Sequence, residues 1–152
     1  GQPGNGKTFA AASIANALLE RDDPGAPTVK MTTFAAIISK LPAMSAQDKE
    51  WYLEGFRSCD LLILDDFGME RQTDYAREQL FQLIDSRYLA GRPMIVTTNL
   101  SLRQMKQPQD LAQQRIFDRV LEMCVPVCFD GESLRQQKDK DNLQRYKTLT
   151  GA

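Results

Sequence analysis

Gly1-Gln2-Pro3-Gly4-Asn5-Gly6-Lys7-Thr8 satisfies the pattern G-x-x-x-x-G-K-[ST] at every fixed position. Glycines at this spacing let a backbone turn wrap a phosphate closely, because no Cβ stands in the way. Phe9 to Glu20 is rich in Ala, Leu and Ile, and a helix is expected from Lys7 until Asp22-Asp23-Pro24-Gly25 stops it. That helix would aim its positive dipole end at the loop. Lys7 supplies a mobile cation for β- and γ-phosphates, and Thr8 offers a hydroxyl to Mg²⁺. The eight loop residues, with Phe9 behind them, are therefore the expected contacts of a nucleoside triphosphate, with Mg·ATP as the expected ligand. A chance match in a glycine-rich turn is the bland alternative, and the helix directly behind the loop disfavours it.

Working outward, Leu61-Leu62-Ile63-Leu64 is a continuous apolar run, the mark of a strand buried on both faces of a parallel sheet. Asp65-Asp66 follows at its end. Two adjacent carboxylates there are costly unless they serve a metal or a reacting group. Asp65 is the expected Mg²⁺ partner, and Asp66 the group that polarises an attacking water. Met94 to Thr98 reads as another buried strand leading into Asn99, whose amide can orient that water. Asn also favours ordinary turns. Arg115 and Arg119 lie four apart and share one helix face. With Arg135 they are candidate phosphate ligands, since a guanidinium pairs bidentately with phosphate oxygens. A lone arginine is more often a solvated charge, so the order of motifs carries that reading.

The remaining segments complete an alternating pattern. A short strand is expected over Thr28–Thr32, with helices over Phe34–Lys40, Ala46–Arg57, Asp74–Leu89 and Leu111–Met123. Trp51, Leu53 and Phe56 are expected to pack from the second of these helices, and Leu111, Ile116, Val120 and Met123 from the last. A final strand is expected over Val125–Phe129, at an edge or bulge because of Pro126, with polar, helical sequence from Ser133. Alternation of strands and helices predicts an α/β, three-layered architecture with a parallel sheet and the ligand at the carboxyl ends of its strands.

Composition narrows the function classes. The 152 residues suit one domain, 1–152, with 42% hydrophobic and 26% charged residues. The net charge is −1, from 19 basic and 20 acidic residues, so nucleic-acid binding would need a local patch. No histidine is present, which removes His-based triads, and three cysteines fall short of a four-ligand zinc site. Cys124 and Cys128 flank an apolar stretch and are expected in the core. No run approaches a membrane span and no signal-peptide pattern is seen, so a cytoplasmic protein is expected.

The phosphate loop, LLILDDFG, TTN, RIFDR and FDGESLR, in that order, resemble the AAA+ ATPases of the helicase-loader group, the DnaC-like and IstB-like ATP-binding proteins. The resemblance covers nearly the whole chain and is densest from Asp60 to Arg135. It implies that Lys7 and Thr8 are the Walker A pair, Asp65 and Asp66 the Walker B pair, and Asn99 sensor I. It implies that Arg119 is an arginine finger serving the nucleotide of a neighbouring subunit, with Arg115 at the same interface and Arg135 as sensor II. A homo-oligomer follows from the finger. Arg87 and Arg92 are further candidates for facing a neighbour. The segment Phe34 to Arg57 stands where the group carries a helical insertion facing single-stranded DNA, which makes Lys40, Lys49 and Arg57 candidate phosphate contacts.

The second Walker B residue is Asp66, where many AAA+ ATPases have Glu. The family's first strand, which sits between the strands near Met94 and Val125, is expected to be missing, as is a partner-binding amino-terminal region. The implied activity is ATP hydrolysis on DNA, by a loader whose partner is a replicative helicase or by a helper whose partner is a transposase. A non-hydrolysing, nucleotide-dependent binding module and a small-molecule kinase are the alternatives from other classes.

Overall fold

Helix α1 spans Lys7–Leu19, followed by β1 (Val29–Thr33), α2 (Phe34–Lys40), a 3₁₀ turn at Leu41–Ala43 and α3 (Ala46–Ser58). Then come β2 (Leu61–Asp65), α4 (Asp74–Leu89), β3 (Met94–Val96), α5 (Leu102–Met105) and α6 (Leu111–Met123). These are the elements of a computed structural model, which describes residues 4–20, 25–68, 73–131 and 146. Helices begin where the sequence supplies caps. The hydroxyls of Thr33, Ser45, Thr73 and Ser101 and the carboxylate of Asp110 each accept a backbone N–H of the first turn.

β2 is the middle strand of a parallel sheet ordered β1-β2-β3. Its apolar run is buried on both faces, as a central parallel strand requires. Leu61 and Ile63 pack with Ala11 and Ala15 of α1, against which Val29 and Ile95 also lie. Leu62 and Leu64 turn to the opposite face and join the larger core. That core gathers Phe34, Ile37, Leu53, Phe56, Leu80, Leu83, Ile84, Ile116, Phe117 and Val120. The result is three layers, with α1 on one face and the other helices on the second.

Arg87 lies inside this core, fully buried. Its Nη1 donates to the carbonyls of Phe56 (2.8 Å), Arg57 (3.1 Å) and Cys59 (2.8 Å), and Nη2 donates to that of Pro93 (2.6 Å). Three of these carbonyls terminate α3, where the backbone has unpaired acceptors and a negative dipole end. The guanidinium thus joins the end of α3 to the approach to β3. Burial pulls its pKa below the usual arginine value. The expectation that Arg87 faces a neighbouring subunit is therefore corrected. Arg92 stays at the surface, its side chain 37% exposed, with Nη1 3.4 Å from Asp60 Oδ1.

Other expectations change as well. Val125–Phe129 is not a strand. The Cys124 thiol reaches the Met94 carbonyl (3.7 Å) and Asn5 Nδ2 reaches the Phe129 carbonyl (3.1 Å), yet no ladder forms, and Val125 and Val127 are exposed. Cys128 is exposed instead of buried, with its thiol donating to Asp130, whereas Cys124 does pack against the core. Trp51 is 83% exposed and Leu111 72%, because each falls off the apolar stripe that its helix turns to the core. The helical expectation from Ser133, and Arg135 with it, lies outside the described residues, as do Gly1, Gln2 and Pro3.

Candidate nucleotide site at the carboxyl ends of the strands

The amino end of α1 and the carboxyl ends of β2 and β3 meet at one corner. Gly4 (φ 89°) and Gly6 (φ 84°) take the left-handed conformation that the phosphate-loop pattern requires, and Gly6 caps α1. Thr8 Oγ1 lies 2.9 and 3.1 Å from the two carboxylate oxygens of Asp65. Residues 57 positions apart thus bring a hydroxyl and a carboxylate together, both of them hard oxygen donors of the kind Mg²⁺ takes.

Thr97, 7% exposed, ties the strand ends to one another. Its hydroxyl donates to Asp65 Oδ1 (2.5 Å) and accepts the backbone N–H of Asp66 (3.0 Å). The backbone adds Thr97 N–H to Leu64 O (3.0 Å) and Phe67 N–H to Thr97 O (2.8 Å). Asp66 sits at φ 56°, the one positive φ outside glycine among the described residues. Asp tolerates this region better than most side chains, and strain of this kind is held where surrounding bonds over-determine it. Asn99 Nδ2 donates to Asp66 Oδ1 (3.2 Å). Asn99 Oδ1 is buried without a hydrogen-bond donor, and so is Asn5 Oδ1. Two orphaned acceptors on residues of one corner are what a site built for further hydrogen-bonding groups shows. Such acceptors suit water or another hydrogen-bond donor, while the loop conformation and the Thr8–Asp65 pair fit a polyphosphate and its Mg²⁺.

The sequence-predicted residues therefore divide. Thr8, Asp65, Asp66 and Asn99 are brought together, and Asn5 stands at the loop. Phe9 is 74% exposed on α1. Thr97 emerges as a positioning group that motif reading left in the background, although a Thr one step beyond the neighbouring strand was its signal. Arg115 and Arg119 do not reach this corner. Arg115 stacks over Phe81, and Arg119 is bound to Asp85 and Glu122 on the α4–α6 face. The hydrogen bond to Asp85 pushes the Arg119 pKa further up. Of the candidate DNA contacts, Arg57 is paired with Glu50 and stands 3.9 Å from Glu54, and Lys40 lies 5.8 Å from the Tyr52 ring centre.

Residues 1–142 match the family described as IstB-like ATP binding protein. The chain belongs to the IstB-like ATP-binding proteins. It is 36% identical over 122 residues to the uncharacterized protein YdaV of Escherichia coli K12, covering 79% of this chain and 46% of that one. It is 30% identical over 141 residues to the replicative helicase loader DnaC of the same organism, covering 90% of this chain and 55% of DnaC. The chain thus spans about half the length of these relatives. A crystal structure of the DnaC helicase loader superposes with a TM-score of 0.65 at 28% identity, over 82% of this chain and 72% of that one. The fold of this IstB-like chain is that of the AAA+ P-loop NTPases. No helix among its described residues is long and apolar enough to cross a membrane.

Proposed function

We propose that this protein hydrolyses ATP with Mg²⁺ at sites shared between subunits, acts in the cytoplasm on single-stranded DNA, and loads or remodels a replicative helicase. The observation that carries the reading is the corner itself: Thr8 on Asp65, Thr97 bridging Asp65 to Asp66, and Asn99 on Asp66. Bound Mg·ATP would supply the electrophilic phosphoryl group and its charge-neutralising cation.

The chain's residues do the rest. Residues 1–6, with Phe9 behind them, hold the phosphates through the loop backbone, and Lys7 places a positive charge beside the terminal ones. Thr8 and Asp65 provide the metal's oxygen ligands. Asp66, held by Asn99 and by its own backbone bond to Thr97, accepts a hydrogen bond from the attacking water, and Asn99 Oδ1 offers that water a second acceptor. Arg119, with Arg115 beside it, makes no contact with the loop of its own chain among the described residues, so it serves a neighbour's nucleotide. Arg135 completes the site from its own chain. Hydrolysis then acts as a switch on the subunit interface.

The family match favours a second reading of the same chemistry, a helper ATPase whose partner is a transposase. The test is ATP hydrolysis measured over a range of protein concentrations, with and without single-stranded DNA. Specific activity that rises with concentration and responds to DNA is expected. Activity blind to both would retain the nucleotide site and remove the shared-site, DNA-bound reading. Capture by a replicative helicase or by a transposase then separates the two partner readings.

A further inference from the structure

Helices α4 and α6 run parallel and side by side, because their contacts advance together. Arg77 pairs with Asp110, Arg115 stacks on Phe81, and Arg119 meets Asp85 and Tyr88. Phe81, Asp85 and Tyr88 stand at i, i+4 and i+7, one stripe of α4. Arg119 is gripped there by three groups. Its Nε donates to Asp85 Oδ1 (2.8 Å), its Nη1 to Glu122 Oε2 (3.1 Å), and its guanidinium carbon lies 4.4 Å from the Tyr88 ring centre. The arginine side chain is 33% exposed, Asp85 26% and Glu122 51%.

Ion pairs this exposed contribute little to stability, since solvent screens them and two long side chains must be ordered. The arrangement does, however, remove most of the rotamer freedom of a long side chain. Nη2 makes no hydrogen bond among the described residues, so the fork is held by its stem, one side and its face while one nitrogen stays open. A group held by several neighbours at once is how a reacting constellation is prearranged.

We infer that Asp85 and Tyr88 of α4 are positioning residues for Arg119, fixing its guanidinium in the attitude in which it meets the phosphates bound by the next copy of this chain. The inference rests on the shared-site reading above. Asp85 anchors Nε, Tyr88 supplies the flat floor, and neither touches the nucleotide of its own subunit. Loss of either group lowers hydrolysis in the neighbour and leaves the subunit's own nucleotide affinity intact.

The experiment is a subunit-mixing assay with an Asp85→Ala/Tyr88→Leu variant, whose changes fall on an exposed helix seam. Alone it should hydrolyse ATP roughly 10- to 100-fold more slowly, at unchanged KM for ATP. Mixed with Lys7→Ala subunits, which lack a working loop but carry a properly held Arg119, it should regain activity above that of either variant alone. Wild-type turnover, faster turnover, or a loss that mixing does not restore would each overturn the inference. Arg119→Ala, run in parallel, separates the two levels. If Arg119→Ala hydrolyses normally, the shared-site reading falls and takes this inference with it. If Arg119→Ala is inactive while the Asp85/Tyr88 variant is fully active, only the positioning role falls.

Discussion

Arg87 and Arg119 both meet helix α4, one from within it and one across its outer seam, and they share nothing else. Arg87 is buried, and its two terminal nitrogens donate to four backbone carbonyls. Arg119 is partly exposed, paired with carboxylates and stacked on a ring, with one nitrogen open. A positive charge inside the core is tolerable because the end of α3 presents carbonyl acceptors to it. The same side chain on the seam contributes little to folding and is free to act on something outside its own chain. Burial and the identity of the acceptors, and not the presence of an arginine, decide which role results.

The largest expected effect tests the buried member. Arg87→Ala leaves several carbonyls unpaired beside a cavity, and about 3–5 kcal/mol of stability should be lost, in line with removing one partner of a buried polar network. For a chain of this size that corresponds to a fall in Tm of roughly 10 °C. Arg119→Ala should leave stability nearly unchanged, because solvent screens its ion pairs. Thermal unfolding of the two variants side by side checks the contrast. Equal losses would mean that the seam is as structural as the core.

The sequence carried a signal for Arg87 that went unread. Ala76, Leu80, Leu83 and Ile84 form the buried stripe of α4, and residue 87 is its next member. An arginine on an apolar stripe points to a buried, carbonyl-bound guanidinium. The expectation that Arg87 faces a neighbour rests on the family resemblance and on its place near the end of α4, neither of which reports burial. The fold class, the helix spans 34–40, 74–89 and 111–123, and the meeting of Thr8 with Asp65 were legible because each rests on a local pattern or a spaced motif. Val125–Phe129 was not, because a strand exists only with a ladder partner, and residue propensity does not report whether one is present. Nor was Thr97, whose importance comes from the register that sets β3 beside β2 with Val96 opposite Leu64.

Thr97 sharpens the comparison at an intermediate size. Like Arg87 it is a buried polar group bonded within the chain, but its partners are the two site aspartates. Thr97→Val keeps the shape and removes the hydroxyl, which leaves the Asp66 N–H without its acceptor, at a cost of roughly 1–3 kcal/mol. Because Asp65 is also released, hydrolysis should fall as well, whereas Thr97→Ser should retain most of both properties. Parallel unfolding and turnover measurements decide the matter. A variant that loses stability but keeps full turnover would place Thr97 with Arg87 as purely structural.

The smallest effect concerns pH and again divides the two regions. Asp110 caps α6 by accepting the Gln113 N–H (2.8 Å) and also pairs with Arg77 of α4. The backbone bond, and then the Arg77 charge, hold its carboxyl below the usual aspartate range. A depressed folded-state pKa stabilises the fold at pH values above the unfolded carboxyl's pKa of about 4, and that contribution is lost as pH falls through the lower, folded value. Acid should therefore loosen the α4–α6 seam that holds Arg119. The contacts of Arg87 are with carbonyls, which do not titrate, so they should persist. Amide exchange followed from pH 7 to about 3 reads both regions in one sample, after correction for the intrinsic pH dependence of exchange. Protection at the start of α6 should fall before protection at the end of α3, and Asp110→Asn, which keeps a capping side chain but no titrating group, should flatten the first change. Simultaneous loss at both places would mean that the two arginines belong to one cooperative unit, and that the contrast between them is one of exposure alone.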